Sequence, residues 1–342
     1  AFTPVIFNIC LIFAAIFIAP IYEMPIYALA WGVFLAGILQ LLIQVLPLWQ
    51  INRLPVPKMN MSNLGVKKFF KLILPAILAG GIIQINLLVD TIFASFLETG
   101  SPTWLYVSDR LIQFPMGIFA IAIGTVLLPT LSKYDVDVEK DKFINAIQNG
   151  QRFVLFIGIP CLIGLFFCAE DLISTIFYRG AFSDIDVINS SYSLMIFSFG
   201  LPFFMLMKVL TPAFFARKDT KTPMYVALIS LLLNATFNYY FAFVLDYGHV
   251  GIAIGSSLAA TISVFILEIS LYKNGFIKVK NIFNIFNLNI LLSSICLIIF
   301  LYFCTSYLDF MKLSQIERIF YLLLEVVVSI IIYFSVSRLI LR

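Results

Sequence analysis

Apolar residues run in long blocks from one end of the chain to the other, each block interrupted by a few charged or turn-forming residues. A helix crosses a hydrocarbon core in about 20 residues. Blocks of that order lie at 4–19, 25–46, 72–96, 111–131, 153–169, 190–210, 223–245, 250–271, 285–306 and 319–337. In lipid every backbone N–H and C=O must be paired within the protein, so these blocks predict continuous helices. The expected fold class is an all-α polytopic membrane protein of about ten transmembrane helices.

Two basic, polar connectors break the series. The first, "PLWQINRLPVPKMNMSNLGVKKFFK" over 47–71, is proline-marked, and its end, "VKKFFKLILP", predicts a short basic amphipathic helix on the membrane surface. The second is "YKNGFIKVKNIFN". The organisation is therefore two helices, a linker, six helices, a linker and two helices. Pro75, Gly80, Gly81, Pro115, Gly117, Gly124, Gly200 and Pro202 fall inside spans. They mark either hinges or the ordinary enrichment of glycine and proline in membrane helices.

Composition agrees with this pattern, since 62% of the residues are hydrophobic and 12% charged, against roughly 45–50% apolar usage in soluble domains. All five cysteines (Cys10, Cys161, Cys168, Cys296, Cys304) lie inside the spans, with no metal-type spacing to His249, so neither a disulfide framework nor a zinc site is expected. The segments 47–71, 133–152, 217–221 and 273–280 and the C-terminal tail hold 17 of the 22 lysines and arginines. Cytoplasmic loops collect basic residues, so both ends of the chain are expected in the cytoplasm, and the net charge of +4 reflects topology and not nucleic-acid binding. The opening "AFTPVIFNICLIFAAIF" lacks a basic n-region and a cleavage site, and predicts a start inside a larger protein.

Ionisable residues at membrane depth normally face a protein interior or a watery cavity. Asp90, Lys208, Glu268 and Glu325 qualify, as do Asp109 and Arg110 at the head of the fourth span. Two readings stand for that last pair. One is an interfacial acid and base at a helix start; the other is an arginine lining a cavity, its planar fork holding a phosphate or carboxylate. Lys208 precedes Arg217 by nine residues, about 13 Å of helix, and either snorkels or contributes to such a cavity. Asn234 and Asn238 are four apart and share a helix face, and Ser256 and Ser257 open the next span. Together with Asp90 they offer oxygen ligands suited to Na⁺, or form an interhelical hydrogen-bond network. Enzyme readings find less support: "DVD" at 135–137 sits in a short mixed-charge loop, and His249 has no nucleophile or metal partner beside it.

The stretches "NLLVDTIFASFLETGSPTWLYVSDRLIQFPMGIFAIAIGTVLLPTLSKY" (86–134) and "KVLTPAFFARKDTKTP" (208–223) resemble the MurJ (MviN) lipid II flippases of the multidrug/oligosaccharidyl-lipid/polysaccharide exporter superfamily. "AFTPVIFNI" and "GIAIGSSLAA" are similar too, so the resemblance covers essentially the whole chain. It implies two six-helix lobes about a central cavity, followed by two helices beside a groove for a lipid tail. Residues 1–46 would be the last two helices of the first lobe, 47–66 a cytoplasmic linker, 67–272 the complete second lobe, and 273–342 the C-terminal pair. Four helices of the family would precede Ala1.

The resemblance further implies that Arg110 faces the cavity and holds the substrate's diphosphate, with Asp109 and Gln113 beside it in the motif, and Lys208 is a second charge expected at that cavity. Gln113 departs from the glutamate common in the family. Asp90, Asn234, Asn238 and Ser256 fall where some members bind Na⁺ as a coupling ion. The implied activity is non-enzymatic alternating-access transport of lipid II, an undecaprenyl-diphosphate-linked disaccharide-pentapeptide, across the bacterial inner membrane for peptidoglycan synthesis. The implied partners are membrane lipids and cell-wall synthesis machinery. The alternatives are a sister exporter of another polyprenyl-linked glycan or a drug, a polyprenyl-processing membrane enzyme, and an inactive fragment.

Overall fold

The computed structural model describes residues 3–51, 81–82, 84–134, 138–277, 285–308 and 310–340. The body of the first linker, its surface helix, Pro75, Gly80, the "DVD" triplet and the second connector over 278–284 lie outside the described residues. The chain forms two compact units, Ala1–Lys68 and Phe69–Arg342.

In the first unit, α1 (Thr3–Phe13) continues through a π-helical turn, Ala14–Ile18, and packs against α2 (Pro25–Gln50). In the second unit, α3 (84–95) precedes α4 (Ser101–Pro115), which passes through a π-helical turn, Met116–Ala120, into α5 (Ile121–Lys133) as one span. There follow α6 (Lys140–Phe167), the short α7 (Ala169–Phe177), α8 (Asp184–Ala216), α9 (Lys221–Tyr239) and α10 (Gly248–Lys273). The C-terminal pair is α11 (Ile285–Tyr307) and α12 (Gln315–Ile340). Among the described residues there is no strand, and eight helices are long and apolar enough to cross a membrane, with Val5–Ile21 a shorter apolar helix.

The hub is α8, which packs against α4, α5, α6, α7 and α10. Lipid tails are as apolar as leucine, so association here relies on close van der Waals packing and on small residues that let backbones approach. Both α8 and α10 supply them: Ser190, Ser193, Ser198 and Gly200 on one, and Gly251, Ala253, Gly255, Ala259 and Ala260 on the other, are buried. A Cβ on Gly200 would lie 2.8 Å from Ser257 Oγ, so this glycine serves helix contact. Pro115 stands directly before the π-helical turn.

One expectation is corrected. The fourth span begins at Ser101 and not near 111, so Asp109 is the ninth residue of α4, more than two turns inside it. Asp109 and Arg110 are therefore not a helix-start pair. Gly100, at φ 109°, and Pro102 in the first turn supply the real start.

The C-terminal pair docks through α11 on α6 and α12 on α6 and α7. Buried Arg318 donates to the carbonyls of Phe310 (2.7 Å), Met311 (2.9 Å) and Ser174 (3.3 Å), and lies over the Tyr178 ring. Tyr333 Oη donates to Phe156 O at 2.8 Å further along. Replacing Arg318 with leucine strands several buried carbonyls at about 1–3 kcal/mol each. The expected result is roughly tenfold or faster amide exchange across 315–322; unchanged exchange contradicts this account of the docking.

Candidate functional site

Two polar places stand out, each built by neighbouring helices. On α4, Trp104 Nε1 donates to Asp186 Oδ1 at 2.7 Å and Ser108 Oγ donates to Ser190 O at 2.7 Å, both on α8. Asp186 is itself fixed as the partner of Ser183 in a capping box that starts α8. His249 packs edge-on against the Trp104 ring, 4.8 Å between centroids, with Nε2 3.1 Å from Asn189 O, so the chain's single histidine has a structural place.

Those pins set the rotation of α4. Ser108 points into α8, and Arg110, two residues and about 200° further round, is exposed on the opposite face. Tyr106, one turn before it, places its ring 4.6 Å under the guanidinium carbon. Gln113 Nε2 donates to Asp109 Oδ2, and its Oε1 lies 3.4 Å from Arg110 Nη1. The guanidinium is thus held from below by an aromatic face and from the side by a neutral amide, and its other N–H groups have no hydrogen-bond partner among the described residues. Lys208 is also exposed, on α8.

The second place joins α3, α9 and α10. Asn238 Nδ2 donates to Asp90 Oδ1 (2.6 Å) and Asn234 Oδ1 (3.0 Å), Asn234 Nδ2 donates to Ser256 Oγ (2.9 Å), and Ser256 Oγ donates to Asp90 Oδ2 (3.3 Å). This closes a ring around one carboxylate, with both asparagines fully buried. A Cβ on Gly255 would lie 2.9 Å from Asn238 N and would strike its Oδ1, so only glycine admits the amide here. Just beyond Asn238 the helix loosens into a π-helical turn, Tyr240–Val244, a feature frequent at functional sites.

Oxygen donors dominate the ring, and buried Asn238 Oδ1 has no hydrogen-bond partner among the described residues. Asn86, one turn before Asp90 on the same face of α3, also has a buried, unpartnered Oδ1. A hard monovalent cation fits that donor set. Sequence reasoning missed Asn86, although its spacing of four from Asp90 was the available signal. It also missed Tyr106, whose spacing of four from Arg110 carried the same information.

The whole of this geometry lies within the part of the chain that matches known proteins. A family model described as "Lipid II flippase MurJ" matches residues 1–334. The chain is 38% identical over 340 residues to a probable lipid II flippase MurJ of Haemophilus influenzae, covering 97% of this chain and 66% of that protein. It is 43% identical over 275 residues to a probable lipid II flippase MurJ of Vibrio cholerae, covering 80% and 52%. The chain belongs to the MurJ lipid II flippase family.

A solved structure of a lipid II flippase MurJ in an inward closed conformation superposes with a TM-score of 0.76 at 27% identity, over 99% of this chain and 68% of that one. A multidrug resistance MATE family transporter of the MOP superfamily superposes at 0.54 with 15% identity, which speaks to the fold alone. The chain thus spans roughly half to two thirds of the length of these MurJ relatives. Both polar places lie within the MurJ match, on α3, α4, α9 and α10.

A third polar cluster, which sequence spacing gave no reason to group, sits where α6 meets α7 and α12. Cys168, Asp171 and Glu325 come together there, all buried. Burial, and after it the charges of Glu325 and Glu170, push the Asp171 carboxyl up to about 8.

Proposed function

We propose that the protein moves lipid II from the inner to the outer leaflet of the bacterial plasma membrane by alternating access, as a transporter that makes and breaks no covalent bond. Membership of the MurJ family supports the substrate class. The observation that carries the reading to residues is Arg110: a guanidinium more than two turns inside a membrane-spanning helix, exposed on the face turned away from α8 and backed by Tyr106. An arginine so placed is costly in lipid and suited to a diphosphate, whose oxygens accept its forked donors. Lys208 adds positive charge, and Asp109 and Gln113 orient the guanidinium.

The ring of Asp90, Asn234, Asn238 and Ser256 holds Na⁺, whose charge compensates the carboxylate and whose entry resets the empty carrier. Moving one charge through 100 mV supplies about 2.3 kcal/mol. Both chain ends face the cytoplasm, as the distribution of lysine and arginine favours. The prenyl tail stays in lipid beside α11 and α12, and the released precursor passes to the cell-wall synthesis machinery.

The test is a reconstitution of the complete gene product into vesicles loaded with labelled lipid II in one leaflet. Protein-dependent transfer of label to the other leaflet is expected, faster with an inward Na⁺ gradient. Transfer no faster than in protein-free vesicles overturns the reading.

A further inference from the structure

The corner between α6, α7 and α12 gathers a thiol and two carboxyls, all buried, and no salt bridge reaches them among the described residues. Cys168 follows the last residue of α6, Asp171 lies in the first turn of α7, and Glu325 in the third turn of α12. One ligating atom from each, the thiol sulfur and a carboxylate oxygen from both acids, lies within 4.8 Å of the other two. Asp171 is 6% exposed and Glu325 5%. Asp171 Oδ2 has no hydrogen-bond partner among the described residues, and Glu325 meets no donor there beyond the Cys168 thiol. Arg318, two turns earlier on α12, is committed to backbone carbonyls and the Tyr178 ring and does not neutralise the acids.

Two buried carboxylates side by side, with one thiol as their only nearby donor, are unfavourable unless a cation or shared protons compensate them. The thiol decides which cation. A Cys sulfur beside two carboxylate oxygens is a mixed donor set that magnesium and calcium avoid and that zinc accepts, with Zn–S near 2.3 Å and Zn–O near 2.0–2.2 Å. Side-chain rotation of a fraction of an ångström to about 1 Å brings atoms at the observed spacing to a common tetrahedral centre. A cavity of about 580 Å³, lined by Glu170, Asp171, Thr305 and Tyr307 among others, opens beside the cluster and leaves room for a water as fourth ligand and a path for entry.

We propose that Cys168, Asp171 and Glu325 bind a divalent transition-metal ion of the Zn²⁺ class, which clamps α12 onto the corner of α6 and α7. Binding deprotonates the thiol and displaces any proton the two carboxyls hold, and these protons leave for solvent as the metal–sulfur and metal–oxygen bonds form. The ion ties the C-terminal pair to the rest of its unit at a point distinct from Arg110 and from the Asp90 ring, so the proposal stands apart from the transport reading.

Cobalt reports the site directly, because thiolate ligation to Co²⁺ gives a charge-transfer absorption that carboxylates alone do not. The purified chain in detergent, titrated with Co²⁺, is expected to develop that band to saturation at roughly one ion per chain, and Zn²⁺ to displace it. Cys168→Ser should remove the band, and Glu325→Gln should weaken Zn²⁺ affinity by about tenfold or more. Zn²⁺ should raise the unfolding temperature of the wild-type chain and leave that of Glu325→Gln unmoved. If Glu325→Gln does not fold, the wild-type and Cys168→Ser spectra decide alone. A flat titration of the folded wild-type chain, as two acids merely sharing a proton would give, overturns the proposal, and so does a band unchanged in Cys168→Ser.

Discussion

Arg110→Ala, introduced into the complete gene product, abolishes growth rescue of a flippase-depleted bacterial strain while the protein reaches the membrane at wild-type level. Membrane insertion and packing are spared because the side chain is exposed and its helix is held by Trp104 and Ser108 on the other face. The loss falls on the substrate. Each charge-assisted hydrogen bond to a phosphate oxygen is worth about 1.5–3 kcal/mol, so losing a forked pair costs diphosphate affinity roughly a hundredfold or more. Arg110→Lys rescues partly: the ammonium keeps the attraction but loses the fork and the flat stacking on Tyr106. Gln113→Glu retains rescue, because an acid there still accepts from Arg110. Normal rescue by Arg110→Ala at matched expression would remove this residue from the substrate path.

Most of the helices were legible in the sequence because a bilayer leaves so few alternatives: an apolar block of sufficient length has to be a helix. The start of α4 was not. Residues 101–110 are polar enough to read as a loop, yet Trp104, Val107 and Ser108 pack into α8 while Tyr106 and Arg110 face outward, so polarity there marks one face and not the end of a span. Gly100, Ser101 and Pro102 carry the start signal there, and a reading by hydropathy alone passes over it. The Asp90 ring was legible because each member carries its own local signal: a deep acid, two asparagines at spacing four, and a serine pair opening the next span. The cluster of Cys168, Asp171 and Glu325 has no such signal, since Cys168 and Asp171 are near neighbours but Glu325 comes from a helix distant in sequence and only tertiary packing brings it to them. Arg318 shows the same limit from the other side: a charge one residue before the tenth apolar block, 319–337, is buried, its donors spent on carbonyls.

Asp90→Asn removes Na⁺ dependence from both stability and transport. This substitution preserves the size of the side chain and leaves an oxygen and an amide to join Asn234, Asn238 and Ser256, so the helices stay packed while the one negative charge of the ring disappears. Na⁺ at about 100 times its dissociation constant stabilises a protein that binds it only when folded by about 2.7 kcal/mol. Wild-type protein should therefore gain several degrees in unfolding temperature when Na⁺ replaces choline, and Asp90→Asn should gain none. Gly255→Val provides the steric counterpart. Its side chain drives into the Asn238 amide, an overpacking that costs about 1–3 kcal/mol and displaces the asparagine from Asp90. Na⁺ dependence should be lost there too, but with lowered stability in every salt. Should Asp90→Asn keep both the Na⁺-induced shift and Na⁺-driven transfer of lipid II, the ring is a hydrogen-bonded joint between α3, α9 and α10, and the coupling ion binds elsewhere.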